Sequence, residues 1–275
     1  MEKIQKLMGL EPGRKEVAAI SGSGGKTTLL KRLSLCFPRE RVLCGATTRL
    51  AWPDGGLGQC LLVPAPFSPD GRTRQSWPPG LATLPATPES CRALPPGRYA
   101  AGLPNAGEAK LESLAPETLR ALLGCFDKVI LECDGSRCKP LKGWAGHEPV
   151  PPPAATLSVG VIPPAALGLP ATKEHVHRLP LFLEQASGLA PLAEGEEIRA
   201  EHLAALIAHP AGLFKGAQGR KILFFSQVED EPGLRAAEKI LEKLPARLLG
   251  GPGALFRAVA GSARENQGII LWQQQ

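Results

Sequence analysis

The chain is short of several things, and each shortage excludes a class of function. It has no run of about 18 apolar residues, so no membrane-spanning helix is expected. Met1-Glu2-Lys3-Ile4-Gln5-Lys6 carries no apolar core of a secretory signal, which points to a cytoplasmic protein. Seven cysteines are present, odd in number and scattered, with no Cys-x-x-Cys pair. Reduced thiols in a reducing compartment account for that pattern. Aromatic residues make up only 5% and are not interleaved with the basic ones, which are dispersed. The net charge of +6 is therefore read as solubility plus phosphate ligands, with no nucleic-acid partner expected. There is no internal repeat.

What is present is the length and composition of a folded α/β protein. The 275 residues, 43% hydrophobic and 21% charged, suffice for one large domain spanning 1–275. Its organising stretch is Ile20-Ser21-Gly22-Ser23-Gly24-Gly25-Lys26-Thr27-Thr28. Before it lies an apolar run, Val17 to Ile20. After it come Leu29, Leu30 and Leu33, which share one face of a helix. Strand, glycine turn and helix in that order make an anion cradle. Glycines allow positive φ and close approach of backbone N–H groups, and the helix start adds its unpaired donors and dipole. Gly22, Ser23, Gly24, Gly25, Lys26, Thr27 and Thr28 are the expected nucleotide-binding residues. Lys26 would meet the β/γ-phosphates, and the Thr27 hydroxyl would ligate Mg²⁺.

The loop departs from G-x-x-x-x-G-K-[ST] because Ile20 stands where the first glycine belongs. It also has Ser21 in place of the extra lysine of K-G-G-x-G-K-T, which disfavours ATPases that use that lysine across a dimer. The compact Gly22 to Thr27 loop looks like that of Mur-type amide ligases or of a small set of accessory NTPases.

Further along, Arg41 to Ala46 reads as a second strand ending at Thr47-Thr48-Arg49, where hydroxyls sense magnesium or γ-phosphate in α/β sheets. Between Ala51 and Pro104 prolines accumulate: Pro53, Pro64, Pro66, Pro69, Pro78, Pro79, Pro85, Pro88, Pro95, Pro96 and Pro104. Proline removes ladder donors, so this stretch of about 51–105 is expected to leave the main sheet, with Leu61-Leu62-Val63 and Arg98 to Ala101 as edge strands of a lid or cover. Ser113 is a candidate N-cap for a helix over Pro116 to Leu123. Val159 to Ile162 is a further strand. Helices follow over Ile198 to His209 and Leu234 to Leu244. Arg247-Leu248-Leu249 and Gly268 to Trp272 are candidate last strands. The alternation predicts α/β architecture: a mostly parallel sheet flanked by helices, of P-loop NTPase type.

Asp127 to Arg137 reads as a buried strand that delivers carboxylates to the nucleotide crevice. Glu132 and Asp134 are two apart, so both point to one side if the strand continues. With Lys26 they are the candidate catalytic groups, and with Thr27 the candidate metal ligands, since phosphate-bound Mg²⁺ takes one or two carboxylates. The loop after them carries Arg137, Lys139, Lys142, His147 and Glu148. Such a loop beside a rigid site is suited to an acidic second substrate.

These blocks together resemble the YqeC family. The resemblance rests on Ile20 to Thr28, Thr47-Thr48, and Leu131 to Arg137 with Pro140-Leu141-Lys142 and His147-Glu148-Pro149-Val150. Gly160-Val161, His177-Arg178 and His209 to Gly212 with Lys215-Gly216 extend it over about residues 16–230. The Asp134-Gly135-Ser136-Arg137 to Val150 block is more specific than the phosphate loop. The resemblance implies a P-loop NTPase that assists selenium-cofactor maturation of molybdenum hydroxylases, with a client hydroxylase or cofactor-assembly protein as partner. It also strengthens Arg137, Lys142, His147 and Glu148 as second-substrate residues.

Two departures bear on the ligand. The strand Lys221 to Phe225 is commonly followed by N-K-x-D in such proteins, and here the chain reads Ser226-Gln227-Val228-Glu229. Guanine selectivity is weakened, so ATP is placed slightly ahead of GTP. Cys133 and Cys138 flank the acidic block and are read as small buried thiols rather than chalcogen carriers. The leading expectation is thus a Mg²⁺-dependent NTPase or NTP-using accessory factor. An ATP-dependent ligase with a Mur-like loop and a nucleotide-gated chaperone are the alternatives.

Overall fold

The computed structural model describes residues 1–51, 60–63, 82–105 and 110–274. Its strands are β1 (Glu16–Gly22), β2 (Arg41–Ala46), β3 (Arg49–Ala51), β4 (Cys60–Val63), β5 (Ala82–Pro85), β6 (Gly97–Ala101), β7 (Leu103–Asn105), β8 (Lys110–Glu112), β9 (Lys128–Glu132), β10 (Leu141–Lys142), β11 (Leu157–Ile162), β12 (Val176–His177), β13 (Arg220–Ser226), β14 (Arg257–Ser262) and β15 (Gln267–Gln273). The α-helices are α1 (Ile4–Leu7), α2 (Lys26–Ser34), α3 (Pro88–Arg92), α4 (Pro116–Leu123), α5 (Leu179–Ala186), α6 (Ala200–Ala208), α7 (Glu231–Glu242) and α8 (Ala246–Leu249).

Ten strands form one sheet in the order β15-β14-β13-β11-β1-β9-β2-β6-β4-β5. Every neighbouring pair is parallel except β14 with β15. The inner strands are apolar almost throughout, as strands covered on both faces must be. Along β13, Ile222 and Phe224 enter one core with α1 and the α2 leucines Leu29, Leu30 and Leu33. Leu223 and Phe225 enter the opposite core with residues of α5, α6 and α7. Val129 and Leu131 of β9 pack on that second side with Leu119 and Leu122 of α4. The period of two therefore supplies two layers of helices, and the expected helix-flanked, mostly parallel sheet is present.

Several local expectations need correction. Much of the described proline-rich stretch stays in the sheet, where β6, β4 and β5 extend it beyond β2, while β7 with Pro104 leaves it and pairs with β8 in a small three-stranded sheet. β6 is an inner strand, and it stays short, with Pro95 and Pro96 ahead of it. Pro85 ends β5, the outermost of these strands, where a missing donor is tolerated. Pro53, Pro64, Pro66, Pro69, Pro78 and Pro79 lie outside the described residues. Ser113 is not the cap of α4. Ala115 holds that position and Pro116 opens the helix, while the Ser113 hydroxyl donates to the Leu114 carbonyl. Arg247 to Leu249 belongs to the helical turn α8 and not to a strand. Helix α7 starts three residues before Leu234, because Asp230 caps it by accepting from the Gly233 N–H at 2.8 Å.

Candidate functional site

Strand β1 lies between β9 and β11, so the turn that leaves it opens at the centre of the sheet, at the carboxyl ends of the strands. Three of the four positions of that turn, all but Ser23, require glycine. Gly22, Gly24 and Gly25 have φ of 111°, 71° and 135°. A Cβ on Gly22 would lie 2.1 Å from the Val161 carbonyl oxygen, and one on Gly24 would lie 2.4 Å from Pro163 Cγ. Helix α2 starts at Lys26 straight after Gly25, so its free N–H groups face the loop.

Lys26 is buried. Its Nζ donates to the Gly22 carbonyl at 2.6 Å and lies 3.4 Å from Asp134 Oδ1. Glu132 ends β9, in register with Ile20 of β1 and Ala46 of β2, and Thr47 donates its N–H to the Glu132 carbonyl. Burial pushes the Glu132 carboxyl above the ordinary carboxylate range, and Lys26 and the Thr27 hydroxyl draw it back. Four buried oxygens here have no hydrogen-bond partner among the described residues: Ser23 Oγ, Thr47 Oγ1, Thr48 Oγ1 and Glu132 Oε1. Buried polar atoms ordinarily find partners, so a cluster of orphans at one strand-end crevice marks a place built for a polar ligand. With the Thr27 hydroxyl beside Glu132, the donor set is all oxygen, as Mg²⁺ requires.

Asp134 departs from the expected arrangement. Strand β9 ends at Glu132, so the two acids do not share one side of a continuing strand. The Asp134 carboxylate turns back under the loop, fully buried, and accepts from the Gly22 N–H at 3.1 Å and from Trp144 Nε1 at 2.6 Å. Lys142 Nζ lies 3.2 Å away on its other side. All of its acceptor capacity is directed at the protein.

The loop after β9 divides in two. Lys142 and Glu148 are buried and paired at 2.7 Å, and Lys142 also donates to the Gly135 carbonyl at 2.6 Å. Arg178, which opens α5 from a left-handed conformation at φ 58°, reaches the same Glu148 oxygen at 2.5 Å. Burial raises the Glu148 carboxyl, but the bonds from Arg178 and Lys142 outweigh it and hold the group down at about 2. Beside them, β10 pairs with β12 so that Lys142 faces His177. Burial, then Arg178, Lys142 and Arg137, lower the His177 imidazole to about 4. Arg137 and His147 remain exposed, as does Cys138, against the expectation that both flanking thiols are buried. Cys133 is buried, and burial pushes its thiol well up.

Trp144, Arg178 and Gln185 complete the site without any mark in the local sequence. Gln185 of α5 clamps the Trp144 backbone from both sides, at 2.9 Å to its N–H and 2.8 Å to its carbonyl. No local pattern announces these contacts. The one signal was His177-Arg178 as part of the family resemblance.

Comparison with known proteins places the chain. The YqeC protein family matches residues 18–180, more than half of its length. The chain belongs to the YqeC family. It is also 29% identical over 238 residues to the Escherichia coli (strain K12) protein named "Uncharacterized protein YqeC", covering 84% of this chain and 83% of that one. No solved structure matches. The family match spans the glycine turn, Glu132, the ion network around Asp134 and Lys142, and Arg178.

Proposed function

We propose that the chain is a Mg²⁺-dependent nucleotide-binding protein, an NTP hydrolase or an NTP-using accessory factor. The reading is carried by the four orphaned oxygens, Ser23 Oγ, Thr47 Oγ1, Thr48 Oγ1 and Glu132 Oε1, at the carboxyl ends of the neighbouring strands β1, β2 and β9, next to a turn whose glycines no other residue can replace. In this account the loop amides and Lys26 hold the phosphates of ATP or GTP, and Thr27 and Glu132 hold Mg²⁺. Bound Mg²⁺ would neutralise phosphate charge. Asp134 is a positioning residue: it fixes the Gly22 end of the loop and orients Lys26. Arg137 and His147 are the exposed groups of the following loop, available to a second substrate or client, with Lys142 and Glu148 holding that loop from beneath. The cellular role offered with it is the one the family resemblance implies, assistance to selenium-cofactor maturation of molybdenum hydroxylases in the cytoplasm.

A nucleotide-gated chaperone is the second reading. What favours it is the unbroken line of paired charges from Lys26 through Asp134, Lys142 and Glu148 to Arg178, which ties the phosphate lysine to a surface loop. The test of the site is the Mg²⁺ dependence of nucleotide binding by calorimetry. Wild type should bind more tightly with Mg²⁺, and Glu132→Gln should bind equally with and without it. An unchanged Mg²⁺ effect in Glu132→Gln would remove Glu132 from the ion site. Phosphate release measured with and without a client enzyme separates the hydrolase from the chaperone.

A further inference from the structure

Beside the phosphate loop lies a second feature that the phosphate-binding account leaves unused. A cleft of about 320 Å³ opens against Gly25 and Thr28 and is walled by the segments that leave β13 and β14. Both walls are fastened to the phosphate loop and its helix. From β13, Ser226 Oγ and Gln227 Nε2 each donate to the Gly24 carbonyl at 2.7 Å. From β14, the carbonyls of Ala263 and Arg264 accept from Arg32 of α2, at 2.8 Å from Nε and 2.6 Å from Nη2. The cleft is thus held at a fixed offset from the place where phosphates would bind.

Its chemistry is set by Glu229. The Glu265 N–H donates to Ser262 Oγ at 3.2 Å, and the Ser262 hydroxyl donates to Glu229 Oε1 at 2.8 Å. Because Ser262 is buried and its oxygen is already accepting, its proton is committed to the glutamate. One carboxylate oxygen is therefore anchored, and the group is oriented with acceptor capacity to spare. An ionised carboxylate only accepts hydrogen bonds. Its best partner is an edge that offers two neighbouring N–H donors. Guanine has such an edge in N1–H and the N2 amino group. Adenine sets a single amino donor beside the bare N1 acceptor, which a carboxylate repels.

We propose that this cleft is a nucleobase subsite that selects guanine over adenine, with Glu229 the specificity-determining residue and Ser262 its positioning partner. The proposal rests on the reading of the phosphate loop as a nucleotide site. Glutamate and serine here make up for the missing Asn-Lys-x-Asp sequence: the longer side chain carries the acceptor, and Ser226 and Gln227 fasten the segment to Gly24. The exposed Arg264 adds a planar cation on the cleft wall, a group on which bases stack. On this proposal GTP, and not the ATP favoured from sequence, is the preferred nucleotide.

The experiment is equilibrium binding of GDP, ADP, XDP and pyrophosphate in the presence of Mg²⁺, to wild type, Glu229→Gln, Ser262→Ala and Lys26→Ala. Charge-assisted hydrogen bonds to the base edge should make GDP at least about tenfold tighter than ADP for wild type. Glu229→Gln should lose that preference and bind XDP better than wild type does, because its amide N–H meets the 2-carbonyl that xanthine has in place of the amino group. Ser262→Ala should narrow the GDP preference, and pyrophosphate affinity should be the same in wild type and both cleft variants. Equal affinities for GDP and ADP, or tighter ADP, with all binding lost in Lys26→Ala, would overturn the base subsite and leave the phosphate site standing. A GDP preference that survives in Glu229→Gln without any gain for XDP would also overturn it. No binding of any nucleotide or of pyrophosphate to wild type would remove both.

Discussion

Asp134 and Lys26 face each other across 3.4 Å at the base of the glycine turn, both shielded from solvent. The same carboxylate touches a second buried lysine, Lys142, at 3.2 Å on its far side. One acid thus offsets two cations and pins the Gly22 N–H, so the loop's shape and the position of its lysine depend on a residue 112 positions away in sequence.

Removing that charge should be costly. Breaking a buried ion pair by neutralising one partner costs about 3–5 kcal/mol, because the other charge is left uncompensated. Asp134→Asn keeps the size and an acceptor, so its loss measures charge rather than volume. Urea denaturation should show a fall in that range. An unchanged midpoint would mean that Lys26 and Lys142 do not depend on Asp134.

Trp144 contributes a single polar atom to this arrangement, its indole N–H at 2.6 Å from Asp134 Oδ2. Trp144→Phe keeps an aromatic ring in the buried site and deletes the donor. A hydrogen bond to a charged group is worth about 1.5–3 kcal/mol, and denaturation should report a loss of that order. A loss below a few tenths of a kcal/mol would leave the ring's packing as the only role of Trp144.

The neighbouring loop gives a pH signature. The His177 imidazole sits at about 4 in the folded protein against an ordinary 6.5. The unfolded chain therefore binds the extra proton first, and stability falls as pH drops through the window from 6.5 to about 4. Glu148, held at about 2 against an ordinary 4.5, adds a separate loss between those values as its carboxyl protonates. Melting temperature measured against pH should decline across the upper window in wild type. In His177→Gln it should be flatter there and keep the lower decline. An identical slope in the upper window would contradict the assignment to His177.

Sequence reasoning succeeded where chemistry is local. The boundaries of β2 and α4 agree with expectation to the residue, because an unbroken apolar run and a proline-opened amphipathic turn are complete signals in themselves. It failed where tertiary context decides. Arg247-Leu248-Leu249 is apolar enough for a strand, yet it follows Pro245 and closes into a helical turn. Strand β14 carries little β signal of its own, since Ala258, Ala260 and Gly261 owe their place to the parallel pairing with β13. In the site, the strand, glycine turn and helix were readable because a glycine run between an apolar run and a helical leucine face is a complete local signal. The meeting of Glu148 with Arg178, 30 residues on, depends on β10 pairing with β12, and no spacing rule encodes it. The two acids Glu132 and Asp134 looked equivalent in sequence. A strand that ends between them gives one an orphaned oxygen and the other a full set of partners.

The central claim is that the glycine turn and Lys26 hold nucleotide phosphates with Mg²⁺. Its most direct test is thermal unfolding of wild type and Lys26→Ala with ATP or GTP, each with and without Mg²⁺. Ligand at 100 times its dissociation constant adds about 2.7 kcal/mol, a rise of at least about 2 °C for a domain of this size. The account predicts a Mg²⁺-dependent rise in wild type that is absent in Lys26→Ala. No rise with either nucleotide, or the same rise in both proteins, would contradict it.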